Sequence, residues 1–212
     1  MQLTYSFLKK IAPFGNDNYL QTFVNVFNSN AAAFKINTPE RVLMFIVQLA
    51  HESDGFKTTK EYASGKAYEG RKDLGNTFKG DGVKFKGRGF IQTTGRANYK
   101  DTSKGLFGDD RLVINPKLLE NPINATLSAM YFWTKKGLNE IADKPNEWKV
   151  KTKIGNLNKF QYITYRINGG QNGLPSRLAY LSKAKKYLTA NDSGVTGIVL
   201  SVALIALIYF AI

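Results

Sequence analysis

A chain of 212 residues is long enough to bury one substantial core, arranged as one body or two lobes. Thirty Lys and Arg against sixteen Asp and Glu give a net charge of +14, a field that attracts polyanions such as nucleic acid, anionic lipid or a bacterial wall bearing peptide carboxylates. Cysteine is absent and His51 is the single histidine, which excludes a disulfide framework, a thiolate nucleophile and a multi-histidine metal site, and leaves Ser–His–Asp chemistry a poor fit.

The opening MQLTYSFLKKIAPFG has neither the long apolar stretch nor the small-residue cleavage site of a signal peptide. Helices are expected over 4–11 and 17–28. Thr38-Pro39-Glu40 supplies an N-cap, a proline at the first helical position and an early acid. The apolar run from Val42 to Ala50 continues that helix, and Gly55 fits its stop. Between 60 and 92 the texture changes. Lys79-Gly80-Asp81-Gly82-Val83 is a turn signal, and Val83-Lys84-Phe85-Lys86 alternates like a short strand. Asn121-Pro122 opens a helix through Leu127, Met130 and Trp133 that stops near Gly137. Asn158 caps another that closes at Ile167-Asn168-Gly169-Gly170, and Pro175 begins one that runs to about Tyr187.

Past a basic, polar stretch at 183–194, the nineteen residues from Gly194 to Ile212 carry no charge and are nearly all apolar. Such a run can cross roughly 30 Å of hydrocarbon as a helix. It shows no amphipathic stripe, as a core helix would. The expected organisation is therefore one helical domain over 1–190 and a C-terminal transmembrane anchor over 194–212. The fold class is mainly α, with a small β-hairpin element in the helical domain.

Three stretches concentrate the chemistry: HESDGF at 51–56, YEGRKDLGN at 68–76 and GDGVKFKGRGFIQTTGRANY at 80–99. They gather acidic, amide and hydroxyl side chains among many glycines, as a groove for a polysaccharide requires. Glu52 ends an apolar helix. Apolar surroundings and the negative end of the helix dipole both favour a protonated carboxyl, the form a general acid needs. A second carboxylate must activate water or attack the sugar. Glu61 and Glu69 are the candidates, and spacing favours Glu61, which follows Glu52 across a loop able to fold back over the helix end. Glu69, beside Arg71, also suits an ion-paired structural role. The glycines at 80, 82, 87 and 89 lack the strand–loop–helix setting of a phosphate loop. They suit a backbone that runs close to a ligand or to a neighbouring helix. Gln92, Thr93, Thr94 and Asn98 offer groups for sugar hydroxyls, and Thr93 or Thr94 equally suits a helix N-cap.

Taken in order, HES at 51–53, YEGRKDLGN, GDGVKFKGRG, GRGFIQTTGRANY at 87–99 and INGG at 167–170 resemble glycoside hydrolase family 19, and within it the bacteriophage lysozyme-like branch. The resemblance covers about 40 to 188. It implies a lysozyme-like, mostly α fold with a cleft between two lobes, and an inverting mechanism. It makes Glu52 the general acid and Glu61 the second carboxylate. Gln92, Thr94, Asn98 and Asn168 would contact substrate or the catalytic water, and Arg177 would organise the carboxylates. An inverting pair stands roughly 6.5–9.5 Å apart. No metal or organic cofactor is implied.

The expected function is thus hydrolysis of bacterial peptidoglycan by a monomeric, membrane-anchored catalytic domain, on a virion membrane or a host inner membrane. Plant-type chitinases of the family carry disulfides and extra loops, so chitin is the second choice of substrate. Another class is a membrane-anchored wall-binding or virion structural protein with a decayed site. Nucleic acid is not an expected partner, because the chain has no recognition-helix or zinc signature.

Overall fold

The computed structural model describes residues 2–189 and the pair 198–199. The chain opens with a two-residue strand, β1 (Gln2–Leu3), and helices α1 (Tyr5–Ile11), α2 (Asp17–Asn30) and α3 (Pro39–Glu52). All three helices begin where their local chemistry directs. Thr4, Asn16 and Thr38 each accept a backbone N–H from the first turn, and Pro39 stands at the start of α3. Helix α3 is the core of the domain, because Val42 through Ala50 are all buried.

After α3 come short turns and then α4 (Asp81–Lys84), α5 (Arg96–Phe107), α6 (Arg111–Ile114), α7 (Pro122–Lys135) and α8 (Leu138–Ala142). A hairpin follows, β2 (Lys149–Thr152) with β3 (Gly155–Asn158), antiparallel with Lys149 opposite Asn158. Helices α9 (Lys159–Asn168) and α10 (Leu174–Thr189) complete the body. Asn158 and Gln161 form a reciprocal capping box at the start of α9. Finally β4 (Ile198–Val199) pairs antiparallel with β1.

Two apolar clusters underlie the architecture. The larger gathers α1, α2, α3, α7 and α9. The smaller holds Phe85, Tyr99, Leu112 and Leu119. The segment joining α3 to α5 contributes to both, Phe56, Phe90 and Ile91 to the larger and Phe85 to the smaller.

The structure corrects the sequence expectation in two places. Val83-Lys84-Phe85-Lys86 is not a strand. Glu69 accepts from Gly80 N and Gly82 N at 2.7 and 2.8 Å, so residues 81–84 wind as a helical turn and Phe85 enters the small core. The hairpin lies instead at 149–158. Nor do Thr93 and Thr94 cap a helix, because α5 starts at Arg96 with Gly95 at its N-cap and no side-chain cap. Among the described residues, no helix is long and apolar enough to cross a membrane. The expected span over 194–212 lies outside the described residues except for Ile198–Val199, which form strand β4 paired with β1 where a membrane-spanning helix was expected.

Candidate active site

A cleft of about 420 Å³ is lined by His51, Glu52, Asp54, Thr58, Glu61, Tyr62, Ala63, Tyr68, Gln92 and Thr94. Four of the seven residues singled out from sequence, Glu52, Glu61, Gln92 and Thr94, thus face one cavity.

Glu52 is the last residue of α3. The chain beyond it turns sharply, with Asp54, Gly55 and Phe56 all at positive φ. A non-glycine residue in this conformation costs about 1–2 kcal/mol. The fully buried Phe56 ring, edge-on to Phe23 at 5.0 Å and to Phe90 at 5.3 Å, offsets that cost. Burial of a phenylalanine contributes roughly 1.5–3 kcal/mol. Phe56 and Phe90 therefore pin the two stretches that carry Glu52 and Gln92 to the same core.

Glu52 is not surrounded by apolar groups alone, as the sequence suggested. Arg177, on α10 and buried, donates from Nη2 to Glu52 Oε1 at 2.5 Å. A second donation from Arg177, Nη1 to Gln48 Oε1, also measures 2.5 Å. The neighbouring imidazole of His51 lies 3.0 Å from Ser176 Oγ. Burial first, and then the Arg177 charge, hold His51 below its usual range, in the neutral form.

Glu61 is held by a small antiparallel arrangement outside the named strands. Glu61 N donates to Gly87 O at 3.0 Å, Gly89 N to Thr59 O at 2.8 Å, and Arg88 exchanges both backbone hydrogen bonds with Thr93. Gly87 N donates to Glu61 Oε2 at 2.6 Å. The glycine is required here. A Cβ on Gly87 would stand 2.7 Å from Gln92 Oε1 and 2.8 Å from Glu61 Oε2, so any side chain would displace both groups from the cleft. Burial first, then the charge of the nearby Glu61 carboxylate, push the Tyr68 hydroxyl above its usual range.

The Gly-Arg-Gly turn is locked from behind. Arg88, almost fully buried, pairs with Glu120 at 2.8 Å and donates to Tyr99 Oη at 3.1 Å, while Tyr99 donates to Lys86 O at 2.7 Å. Burial pushes the Tyr99 hydroxyl far above its usual range, so it remains a donor. At the front of the turn, Gln92 has positive φ and donates to Gly89 O at 2.9 Å, and Thr94 Oγ1 donates to Gln92 O at 2.9 Å. With its proton committed, the Thr94 oxygen can accept from a water.

The remaining three predicted residues do not line the cleft. Asn98, exposed on α5, donates to Thr94 O at 2.7 Å. Asn168 ends α9 and shapes the next loop, donating to Asn172 O and accepting from Gly170 N, both at 2.9 Å. Arg177 lies behind Glu52. Glu69, the other candidate for the second carboxylate, spends both oxygens on backbone N–H groups and does not line the cleft.

Sequence reasoning passed over Asp54, Thr58, Tyr62 and Tyr68 in the lining. Tyr62 is 79% exposed and donates to Asp54 Oδ2 at 3.2 Å, which leaves a large aromatic face at the rim. Its position beside Glu61 in sequence was the available signal. Gln48 was also missed, although it stands one turn before Glu52 on the same face of α3.

No family model matches the chain. A Haemophilus influenzae protein described as "Glycosyl hydrolase family 19 domain-containing protein" is 29% identical over 166 residues, which are 63% of this chain and 73% of that protein. Chitinase C from Streptomyces griseus HUT6037 superposes with a TM-score of 0.61 at 20% identity, covering 88% of this chain and 76% of its own. A bacterial family 19 chitinase gives a TM-score of 0.62 at 18% identity, with 88% and 95% covered. A class IV chitinase of the same family from Zea mays gives 0.59 at 16% identity, with 87% and 90% covered. These similarities agree with the mainly helical, lysozyme-like architecture described above.

Proposed function

We propose that this chain, a glycoside hydrolase related to family 19, cleaves the glycan of bacterial peptidoglycan by an inverting acid–base mechanism. The observation that carries the mechanism is the meeting of Glu52 and Glu61, from separate elements, in one cleft. Glu52 Oε1 is occupied by Arg177, so Oε2 is the oxygen available to hand its proton to the glycosidic oxygen as the C–O bond breaks. Glu61 Oε2 is occupied by Gly87 N, so Oε1 is available to take a proton from water. That water attacks the anomeric carbon from the face opposite the leaving group. Thr94 accepts from the water and orients it, and Gln92, Asn98 and Asn168 bind or shape the sugar site. The product is a new reducing end of inverted configuration. Both glutamates end the cycle in the opposite protonation state and exchange a proton with solvent.

Charge supports peptidoglycan as the substrate. A net +14 favours a polymer with peptide carboxylates over neutral chitin. The exposed lysines 149, 151 and 153 on the hairpin add to that field. The test is mass spectrometry of fragments released from purified peptidoglycan and from chitin. Muropeptide-bearing sugars with a new reducing end are expected from the first, and the identity of that sugar names the bond. Rapid release from chitin with none from peptidoglycan would replace the substrate and keep the mechanism.

In the same reading residues 194–212 anchor the enzyme to a membrane, either a virion membrane that meets the cell surface or the host inner membrane before lysis. Support comes from the uncharged run Gly194–Ile212 and from Lys183, Lys185 and Lys186 just before it, which suit lipid headgroups. The full-length protein is expected to partition with membranes and to resist high-salt and carbonate extraction. Deletion of 194–212 should leave a soluble, active enzyme. A deletion that unfolds the domain, or a full-length chain soluble without detergent, would make the segment part of the core instead.

A further inference from the structure

Behind the cleft runs a polar chain that crosses three helices in the middle of the apolar core. Thr164 on α9 donates from Oγ1 to Phe160 O at 3.1 Å. Gln48 on α3 donates from Nε2 to Thr164 Oγ1 at 3.2 Å, and its Oε1 accepts from Arg177 Nη1. Arg177 Nη2 then reaches Glu52, and Arg177 Nε lies 3.4 Å from Asn172 O. Gln48, Thr164 and Arg177 are each 0–1% exposed.

The direction of every bond in this chain is fixed. Arg177 can only donate, so Gln48 must turn its oxygen toward the guanidinium and its amide nitrogen toward Thr164. With Gln48 so turned, Thr164 accepts from its amide and gives its own proton to Phe160 O. A flipped Gln48 amide would bring two donors together at Arg177 and leave both unsatisfied in a buried site, at a cost of about 1–3 kcal/mol each. The amide therefore fixes the guanidinium through Nη1, beside the Nη2 that reaches Glu52 one turn further along α3.

The chain also bears on charge. Among the described residues, Glu52 is the one carboxylate paired with Arg177. His51 on α3 is held neutral by burial and by Arg177. Asp54, Glu61, Tyr62 and Tyr68 face the cleft from the segment after α3. Gln48 is neutral, so it anchors the arginine without competing with Glu52 for its charge.

We infer that Gln48 is a positioning residue for the proposed reaction: it fixes Arg177, and through Arg177 it sets the orientation and charge balance of the Glu52 carboxyl. The inference rests on the assignment of Glu52 as general acid. A neutral residue at 48 leaves one cation shared with one carboxyl, whereas a carboxylate there would neutralise Arg177 independently and disfavour ionisation of Glu52.

Two variants and one control test it, with cleavage of soluble peptidoglycan fragments followed across pH and folding followed by thermal melts. Gln48→Leu removes the acceptor at similar volume and frees the guanidinium to swing. Its kcat is expected to fall by about 100-fold, the scale of a misplaced catalytic group, with KM within about threefold. Gln48→Glu keeps an acceptor for Arg177 and lets Thr164 turn to donate. It should retain kcat within about tenfold of wild type, and the alkaline limb of its kcat/KM profile, which reports the free enzyme's acid, should move upward by about one pH unit. A residue that only packs would lower the melting temperature and move neither the kcat of folded protein nor that limb. If Gln48→Leu does not fold, the limb of Gln48→Glu alone decides the matter. An unmoved limb in folded Gln48→Glu overturns the inference. The control, Glu52→Gln, separates the two levels. If it is inactive while the limb of Gln48→Glu stays in place, the positioning role fails alone. If it is active, the acid assignment fails and the positioning role with it.

Discussion

Glu52→Gln is expected to keep the fold and to remove nearly all glycan cleavage. A positioned general acid contributes typically 10²–10⁴-fold, and departure of a sugar hydroxyl without a proton is slow enough to demand the whole of it. The amide can present its oxygen to Arg177 Nη2, so the hydrogen bond now made by Oε1 survives. What disappears is the transferable proton on the other atom, where nitrogen replaces oxygen. Arg177 also loses its anionic partner. Because an acceptor remains, the cost in stability should fall below the roughly 3–5 kcal/mol of breaking a buried pair outright. Glu52→Ala should come nearer that figure, since it leaves the buried guanidinium facing a void. Release of reducing ends, measured beside thermal melts, checks both parts. A folded Glu52→Gln enzyme with substantial residual activity would remove Glu52 from the acid role.

Helix starts were legible in the sequence because they are decided locally. Thr38-Pro39, Asn121-Pro122 and Asn158 each satisfy orphan N–H groups within their own first turn, and each opens a helix in the structure. The strand expected near 83–86 failed because its conformation is decided from outside. Glu69, eleven residues before Gly80, takes two N–H groups of that turn and winds it into a helix. The true hairpin carried a comparable alternation at Lys149-Val150-Lys151-Thr152, followed by Gly155 at φ 111°. Nothing local distinguished it from the false one. Glu52, Glu61, Gln92 and Thr94 converge because the segment around 59–61 pairs with the Gly-Arg-Gly turn, and spacing could hint at this only for Glu61. Arg177, 125 residues beyond Glu52, entered through the ordered motifs of a family and not through any property of its neighbours. Gln48 and Tyr62 carried only short-range signals, a helical spacing and a sequence neighbour, which become meaningful once the cleft is seen.

Glu61→Gln is expected to lower turnover by about 10²–10⁴-fold, the range for loss of a general base, with little change in folding. The glutamine oxygen can still accept from Gly87 N, the contact that now holds Oε2 at 2.6 Å, and the absence of a Cβ on Gly87 leaves the same room. The amide cannot take a proton from water, so attack at the anomeric carbon slows while binding persists, and the loss should appear in kcat. Glu69→Gln makes the contrast. Its carboxylate receives two N–H groups at the start of α4, from Gly80 and Gly82. An amide satisfies one of them and turns a donor toward the other. The expected cost is about 0.5–2 kcal/mol, the scale of a lost helix cap, with near-normal turnover per folded molecule. The two variants therefore separate along different axes, one in kcat and the other in melting temperature. If Glu69→Gln is the inactive protein and Glu61→Gln turns over normally, the second carboxylate is Glu69, and the backbone contacts that now occupy its oxygens must open when substrate binds.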